Sequence, residues 1–264
     1  MEIQTIWNEI ISINFSETDF QQKWKPSAFF TAMQEVGSLH ATHLGYDYKD
    51  MFAANMSWVL SRVKIQFNSF PKVGEKIKIQ TWPKGIHSKL FFMRDFFFLS
   101  TEGSQFAAAT CAFVLINIKE RRILPWRVLK GELPDNQGLS AIEQFPERLD
   151  LPESFQESFS VKARYSDVDL MGHVNNPRYI EWITDSFPMQ QFQAHQLEWL
   201  QINYLSEIKL GENISISSEM DKKDSSVSYI LGKNLTAGNI AFEAALKWGT
   251  KIASLQDACI LGFN

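Results

Sequence analysis

Apolar and polar positions along this chain follow two periods, and the periods change over in the same order twice. Val63, Ile65 and Phe67 alternate with Lys64 and Gln66, as Leu200, Ile202 and Tyr204 alternate with Gln201 and Asn203. That is the period of a strand with one buried face. Before the first of these strands, Phe29, Met33, Val36, His40 and Leu44 share one helical face, which predicts a helix from about Ser27 to Leu44 with Gly45 as its stop. Before the second, Ile180, Ile183 and Phe187 share a face. Here the predicted helix opens with Asn176 as N-cap and Pro177 at the first helical position, and Pro188 ends or kinks it. An extended segment with an acidic, turn-prone end precedes each helix, at Ile13 to Gln22 and Phe159 to Gly172. Gly74-Glu75 and Gly211-Glu212 then turn the chain into Ile77-Lys78-Ile79 and Ile214-Ser215-Ile216. Two hairpins complete the pattern: Lys89 to Leu99 with Phe106 to Ile116, and Ser226 to Leu231 with Ala241 to Trp248. A helix against several antiparallel strands is an α+β unit, in which the sheet buries its apolar face on the helix.

The recurrence is also one of residues. At an offset of 150, Phe15-Ser16-Glu17-Thr18-Asp19-Phe20 falls on Tyr165-Ser166-Asp167-Val168-Asp169-Leu170, and Phe29-Phe30 falls on Tyr179-Ile180. At an offset of 137, Ile65 to Ile79 falls on Ile202 to Ile216, with identities that include Ser69/Ser206, Lys72/Lys209, Gly74/Gly211 and Glu75/Glu212. A repeat longer than about 100 residues is a duplicated domain and not a solenoid unit. The expected division is a first domain over 1–130, a linker over 131–157 that is rich in Pro, Asp, Glu and Gln, and a second domain over 158–264.

With 264 residues, the chain is long enough for two cores. The 45% hydrophobic and 21% charged shares are ordinary for a globular protein, and a net charge of −4 gives no sign of nucleic-acid binding. An acidic partner would need a local basic patch, for which Arg62, Lys64, Lys89, Arg94, Lys119, Arg121 and Arg122 are the candidates, against a bland reading as scattered surface charge. Two cysteines, Cys111 and Cys259, make no disulfide framework, and Cys111 in its apolar run reads as a small buried residue. Met1 to Glu9 lacks the features of a secretion signal or an organelle transit peptide, and no apolar stretch has the length of a membrane span, so a soluble cytoplasmic protein is expected. The run Leu90 to Leu99 reads as a strand buried on both faces, with Arg94 and Asp95 paired or at an edge, or as the wall of an apolar pocket.

Asp169, His173 and Glu207 flank the predicted start of the second helix. A helix start offers unpaired N–H groups and a positive dipole end, which suit an oxyanion. A carboxylate beside an imidazole can raise a water to general-base strength near neutral pH. The bland alternative makes His173 a turn histidine, Asp169 an Asx-type turn residue and Glu207 an exposed charge. The repeat weighs against it. The first half carries Lys23 and Phe70 at these two places, so the fold itself does not demand His173 and Glu207. Asp19 matches Asp169, which gives that aspartate at least a partly structural claim. His40-Ala41-Thr42-His43 lacks the acidic partner of a zinc-protease motif, and neither a G-x-S-x-G elbow nor a phosphate-binding glycine loop occurs. No cofactor and no metal are called for.

At these residues the chain resembles the acyl-acyl-carrier-protein thioesterases, the plant enzymes that end fatty-acid synthesis and their bacterial relatives. The resemblance rests on Met33 to Ala41, Val59 to Ile65 and Glu75 to Trp82 in the first half, and on Ser166 to Asn176 and Leu197 to Glu212 in the second. The run His173-Val174-Asn175-Asn176-x-x-Tyr179 is shared with other hotdog thioesterases, including those acting on coenzyme A esters. The resemblance implies two tandem hotdog domains, each a long helix wrapped by an antiparallel sheet. It implies a catalytic second half, with the first half forming much of an acyl-chain cavity. The family's proposed set of Asp, Asn, His and Glu falls on Asp169, Met171, His173 and Glu207, and the older proposal of a cysteine nucleophile falls on Ile208. Met171 departs from the pattern, since a thioether cannot donate the hydrogen bond of an amide. Asn175 and Asn176 are the neighbouring amides that could position substrate in its place, with Asn176 expected to be taken up as the helix cap. The implied activity is hydrolysis of a fatty acyl thioester on acyl carrier protein. The alternatives are an acyl-coenzyme A thioesterase or a non-catalytic acyl-binding module. The expected partner is the acyl carrier protein, with no nucleic acid and no membrane span, in a chain that is a monomer or a weak homodimer.

Overall fold

Inward residues at every second position build the sheet: Val63 and Ile65 are fully buried while Gln66 is exposed. A computed structural model describes residues 3–129, 133–136 and 138–251, so Cys259 and the remaining tail lie outside it. In chain order the first half runs β1 (Trp7–Ser12), α1 (Pro26–His43), α2 (Tyr48–Ala53), β2 (Met56–Phe67), β3 (Lys76–His87), β4 (Phe91–Ser100), β5 (Gln105–Asn117) and the short β6 (Arg122–Ile123). The second runs β7 (Gln156–Lys162), α3 (Asn176–Asp185), α4 (Met189–Ala194), β8 (His195–Tyr204), β9 (Asn213–Met220), β10 (Val227–Asn234) and β11 (Asn239–Thr250). A 3-10 turn precedes each long helix, at Phe15–Glu17 and Tyr165–Asp167.

All of the strands join one antiparallel sheet in the order β1-β3-β4-β5-β2-β8-β11-β10-β9-β7, with β6 paired to β5. Each half shows the same order, and the halves meet where β2 pairs with β8. Lys64 there faces Gln201, its own counterpart at the offset of 137, and Val63 faces Ile202 as Ile65 faces Leu200. A pseudo-twofold axis therefore passes through the Lys64–Gln201 pair. The helices α1 and α3 pack on each other across this axis.

Equivalent aromatic pairs pin the two helices to the sheet. Phe29 of α1 meets Phe67 edge-on at 5.2 Å between ring centres, and Tyr179 of α3 meets Tyr204 edge-on at 5.2 Å. A fully buried aromatic side chain contributes about 1.5–3 kcal/mol by area alone. One buried core spans both halves, from Trp24 and Phe98 to Ile180 and Phe242. A second, smaller one in the first half gathers Tyr46, Met51, Phe92, Leu115 and Leu124 beneath α2.

The helix expected over Ser27 to Leu44 begins and ends one residue earlier, at Pro26 and His43. At α3 the cap is corrected: Asn175 has the extended backbone of an N-cap (φ −64°, ψ 138°), and Asn176 is the first helical residue. Proline therefore sits at the second helical position, which also needs no intrahelical N–H bond. The strand β4 is interior, flanked by β3 and β5, so the edge reading of Arg94 and Asp95 fails. Both side chains are paired instead. Arg94 Nη1 bonds to His40 Nδ1 at 2.9 Å, and buried Asp95 lies 3.1 Å from Lys84 Nζ. Among the described residues no helix is long and apolar enough to cross a membrane.

Candidate active site

One backbone bond ties the loop before α3 to the segment after β8, and a second closes that loop on itself. Val174 N–H donates to Ile208 O at 2.8 Å, and Asn175 N–H donates to Asp167 O at 2.8 Å. The first half makes the same two bonds, from Trp24 N–H to Pro71 O at 2.8 Å and from Lys25 N–H to Glu17 O at 3.0 Å. The scaffold is thus common to both halves, and only the second equips it with His173 and Glu207.

His173 Nε2 lies 3.2 Å from Glu207 Oε2, and the two side chains are 27% and 29% exposed, open enough for water to reach them. The same carboxylate oxygen also receives Arg121 Nη2 at 2.6 Å. Arg121 is the last residue of the turn between β5 and β6, in the left-handed region at φ 50°, and reaches the site from the other half. Sequence spacing placed it only among surface cations. The missed signal is long-range: the sheet order carries the β5–β6 hairpin past the β2–β8 seam.

Asp169 does not touch the imidazole ring. Its Oδ1 accepts the N–H groups of Met171 at 2.8 Å and His173 at 3.4 Å, while its own N–H donates to His173 O at 2.9 Å. Asp19 closes the first-half loop in the same way, through Gln21 N–H at 2.8 Å and Lys23 N–H at 3.0 Å. Both turns pass through a left-handed residue, Gly172 at φ 81° and Gln22 at φ 62°. The structural claim on Asp169 is therefore substantial.

Met171 lies at the crown of that turn and is 39% exposed. Its defined polar contact is the backbone N–H to Asp169. Asn175 makes no side-chain cap bond, and its Oδ1 is buried without a hydrogen-bond partner among the described residues. Asn176 carries the first helical N–H that no carbonyl receives among the described residues, and its own carbonyl accepts Tyr204 Oη–H at 3.2 Å. Below the loop, burial pushes the Tyr179 phenol up, so it stays protonated and acts as a fixed prop under the helix start.

Two family models cover the chain: the acyl-ACP thioesterase N-terminal domain over residues 4–130 and the C-terminal domain over 151–250. The chain belongs to the acyl-ACP thioesterase family. Among curated acyl-ACP thioesterases it is similar to the chloroplastic oleoyl-acyl carrier protein thioesterase of Coriandrum sativum, 26% identical over 226 residues, which cover 76% of this chain and 59% of that one. The chloroplastic palmitoyl-acyl carrier protein thioesterase of Gossypium hirsutum is 28% identical over 216 residues, 76% of this chain and 52% of that one. The chain thus spans between half and three-fifths of the length of these relatives. Its fold is that of an acyl-ACP thioesterase from Bacteroides thetaiotaomicron, with a TM-score of 0.81 at 24% identity over 93% of this chain and 98% of the other. The 12:0-ACP thioesterase of Umbellularia californica gives a TM-score of 0.75 at 20% identity, over 94% and 98% of the two chains.

Proposed function

We propose that this chain hydrolyses a fatty acyl thioester of acyl carrier protein, releasing the fatty acid and the carrier thiol, at a site built on His173 and Glu207. The observation that carries the reading is the 3.2 Å imidazole–carboxylate pair on a scaffold whose twin bears Lys23 and Phe70. Glu207 takes a proton from water as the water oxygen bonds to the thioester carbon. The Asn176 N–H, at the positive end of α3, receives the negative charge that builds on the carbonyl oxygen. As the tetrahedral intermediate collapses, the C–S bond breaks, and the proton that Glu207 took from water passes across the 3.2 Å contact to His173 and on to the departing sulfur, which restores both side chains. Asp169 holds His173 through the backbone of the turn, and Arg121 fixes the carboxylate of Glu207 from the other side. The missing amide at Met171 leaves Asn175, whose buried Oδ1 is unpartnered, as the nearest side-chain amide for positioning substrate.

The acyl chain is assigned to the first half, in the smaller apolar core under α2. Leu115 and Leu124 of that core flank the β5–β6 hairpin that carries Arg121, which is the support for this assignment. The α1–α3 packing and the β2–β8 strand pairing of the two hotdog units are both met within one chain, which suits a monomer or a weak homodimer. The test is thiol release from a panel of acyl carrier protein thioesters, run against the matching coenzyme A esters. Saturable release that falls with added salt is expected for the carrier substrate, because docking on an acidic carrier is screened. Turnover confined to coenzyme A esters would transfer the activity to that substrate class, and binding without turnover would make the chain an acyl-binding module.

A further inference from the structure

Of the seven cations that the sequence offers for a basic patch, the fold commits three elsewhere. Arg94 is bonded to buried His40, Arg62 donates to Pro146 O at 2.9 Å, and Lys64 donates to Gln144 at 3.3 Å. The other four share one end of the sheet. Lys119 and Arg121 lie in the turn of the β5–β6 hairpin, and Arg122 opens β6. Strand β4 runs beside β5 as far as Phe113, and β6 takes over the same edge at Ile116, so the β3–β4 turn with Lys89 abuts the hairpin. Lys89 and Lys119 are exposed and make no ion pair among the described residues, while Arg122 binds Glu120. Residues 119–127 hold four cations and one acid, in a chain whose net charge is −4. Two exposed apolar residues stand among them, Ile123 at 50% and Trp126 at 41%, with Arg127 over the indole at 5.4 Å. Tryptophan and arginine are the residues that most often carry binding energy at protein interfaces. The patch is continuous with the candidate active site, because Arg121 in its middle holds Glu207 at 2.6 Å.

We propose that the β5–β6 hairpin and the segment that follows it form the surface on which an acidic acyl carrier protein docks. Lys119, Arg122 and Arg127 meet the carrier's carboxylates, with Lys89 at the flank, and Ile123 and Trp126 supply the apolar contact. Arg121 stays with Glu207 and marks where the thioester enters. On an acidic chain, a local positive patch of this kind steers an acidic partner to one place and fixes its orientation. The choice of partner rests on the hydrolase reading, and the choice of surface rests on charge and exposure.

Binding is read first, without turnover, by calorimetric titration of the full chain with carrier protein that bears no acyl group. The triple reversal Lys119→Glu, Arg122→Glu and Arg127→Glu should weaken binding at least tenfold and flatten its dependence on salt. Trp126→Ala should weaken it without changing the salt dependence. Lys119→Glu alone, at a residue with no ion pair, should weaken it severalfold, and it carries the test if the triple variant misfolds. In kinetics the triple reversal should raise KM for the carrier thioester at least tenfold and leave kcat at saturation unchanged. Turnover of the same acyl group on pantetheine, which lacks the carrier, should stay at the parent level. Carrier binding that the parent shows and the reversal abolishes, in a chain that hydrolyses neither thioester, would keep the docking surface and remove the hydrolase reading. Unchanged carrier affinity in the triple variant, or an equal loss on both thioesters, would overturn the proposal. So would capture of the parent but not the variant by phosphatidylglycerol vesicles with carrier affinity intact, which would assign the patch to a lipid surface.

Discussion

Glu207 and Arg121 meet at 2.6 Å across the seam between the two halves, and the oxygen they share is the one that His173 approaches to 3.2 Å. A carboxylate that would swing freely from one loop is thus held by a cation from the other half. The guanidinium is 66% exposed, so the pair contributes about 0–1 kcal/mol to stability and its value lies in orientation. Replacing Arg121 with alanine should leave thermal unfolding within about a degree or two of the parent. Turnover should drop by roughly ten- to a hundredfold, the loss expected when a reacting group is misplaced by an ångström or so. Steady-state kinetics beside calorimetry check this. A stability loss that matches the rate loss would make Arg121 merely structural.

Asp169 and Asp19 close equivalent turns through the same pair of backbone N–H donors. Alanine at either place should cost on the order of 1–3 kcal/mol, the range for losing hydrogen bonds to a charged acceptor. The two variants part company in function. Asp169→Ala should slow hydrolysis by letting His173 drift, and Asp19→Ala should leave it near the parent rate. Equal loss of turnover in both would remove the distinction between the halves.

His40 is buried with Nε2–H donating to Gln4 O at 2.9 Å and Nδ1 accepting from Arg94 Nη1 at 2.9 Å, so both ring nitrogens are committed in the neutral form. Burial lowers its pKa from 6.5 to about 4, with the Arg94 and His43 charges acting in the same direction. The unfolded chain therefore binds a proton that the native state refuses, and stability must fall as pH drops from about 6.5 towards 4. The contribution is fully present above that window and amounts to about 2–3 kcal/mol. Urea midpoints measured between pH 7.5 and 4 should show this slope, and His40→Gln should flatten it. An unchanged slope in the variant would assign the effect to other groups.

Cys111 is buried in β5, and desolvation pushes its thiol far above the ordinary range, with the Asp95 charge adding to the shift. The thiolate is the reactive form. Alkylation followed by peptide mass spectrometry should leave Cys111 unmodified in native protein and label it fully in urea. Rapid labelling under native conditions would contradict this packing.

Long elements were legible because burial imposes a period on them: the α1 face and the β2 and β8 alternation stand in the residues themselves. The six-residue helices α2 and α4 were not, since they are shorter than the window in which a helical period can be counted. The cap of α3 slipped by one residue because Asn175 and Asn176 are both acceptable cap types, and the choice is made by the bond from Asn175 N–H to Asp167 O. Arg121 could not be placed by spacing, as its partner lies 86 residues away and is chosen by sheet order. What the sequence did expose was the contrast of Lys23 with His173 and Phe70 with Glu207, because a repeat carries its own control.

The central claim is that chemistry resides at His173 and Glu207 and not at their first-half counterparts. Single-turnover hydrolysis of an acyl carrier protein thioester by the parent, His173→Ala, Glu207→Gln and Lys23→Ala tests it most directly. The account predicts a loss of about a hundredfold or more in each of the first two variants, with Lys23→Ala at the parent rate. Parent-like hydrolysis by His173→Ala or Glu207→Gln, in protein shown to be folded, would contradict it.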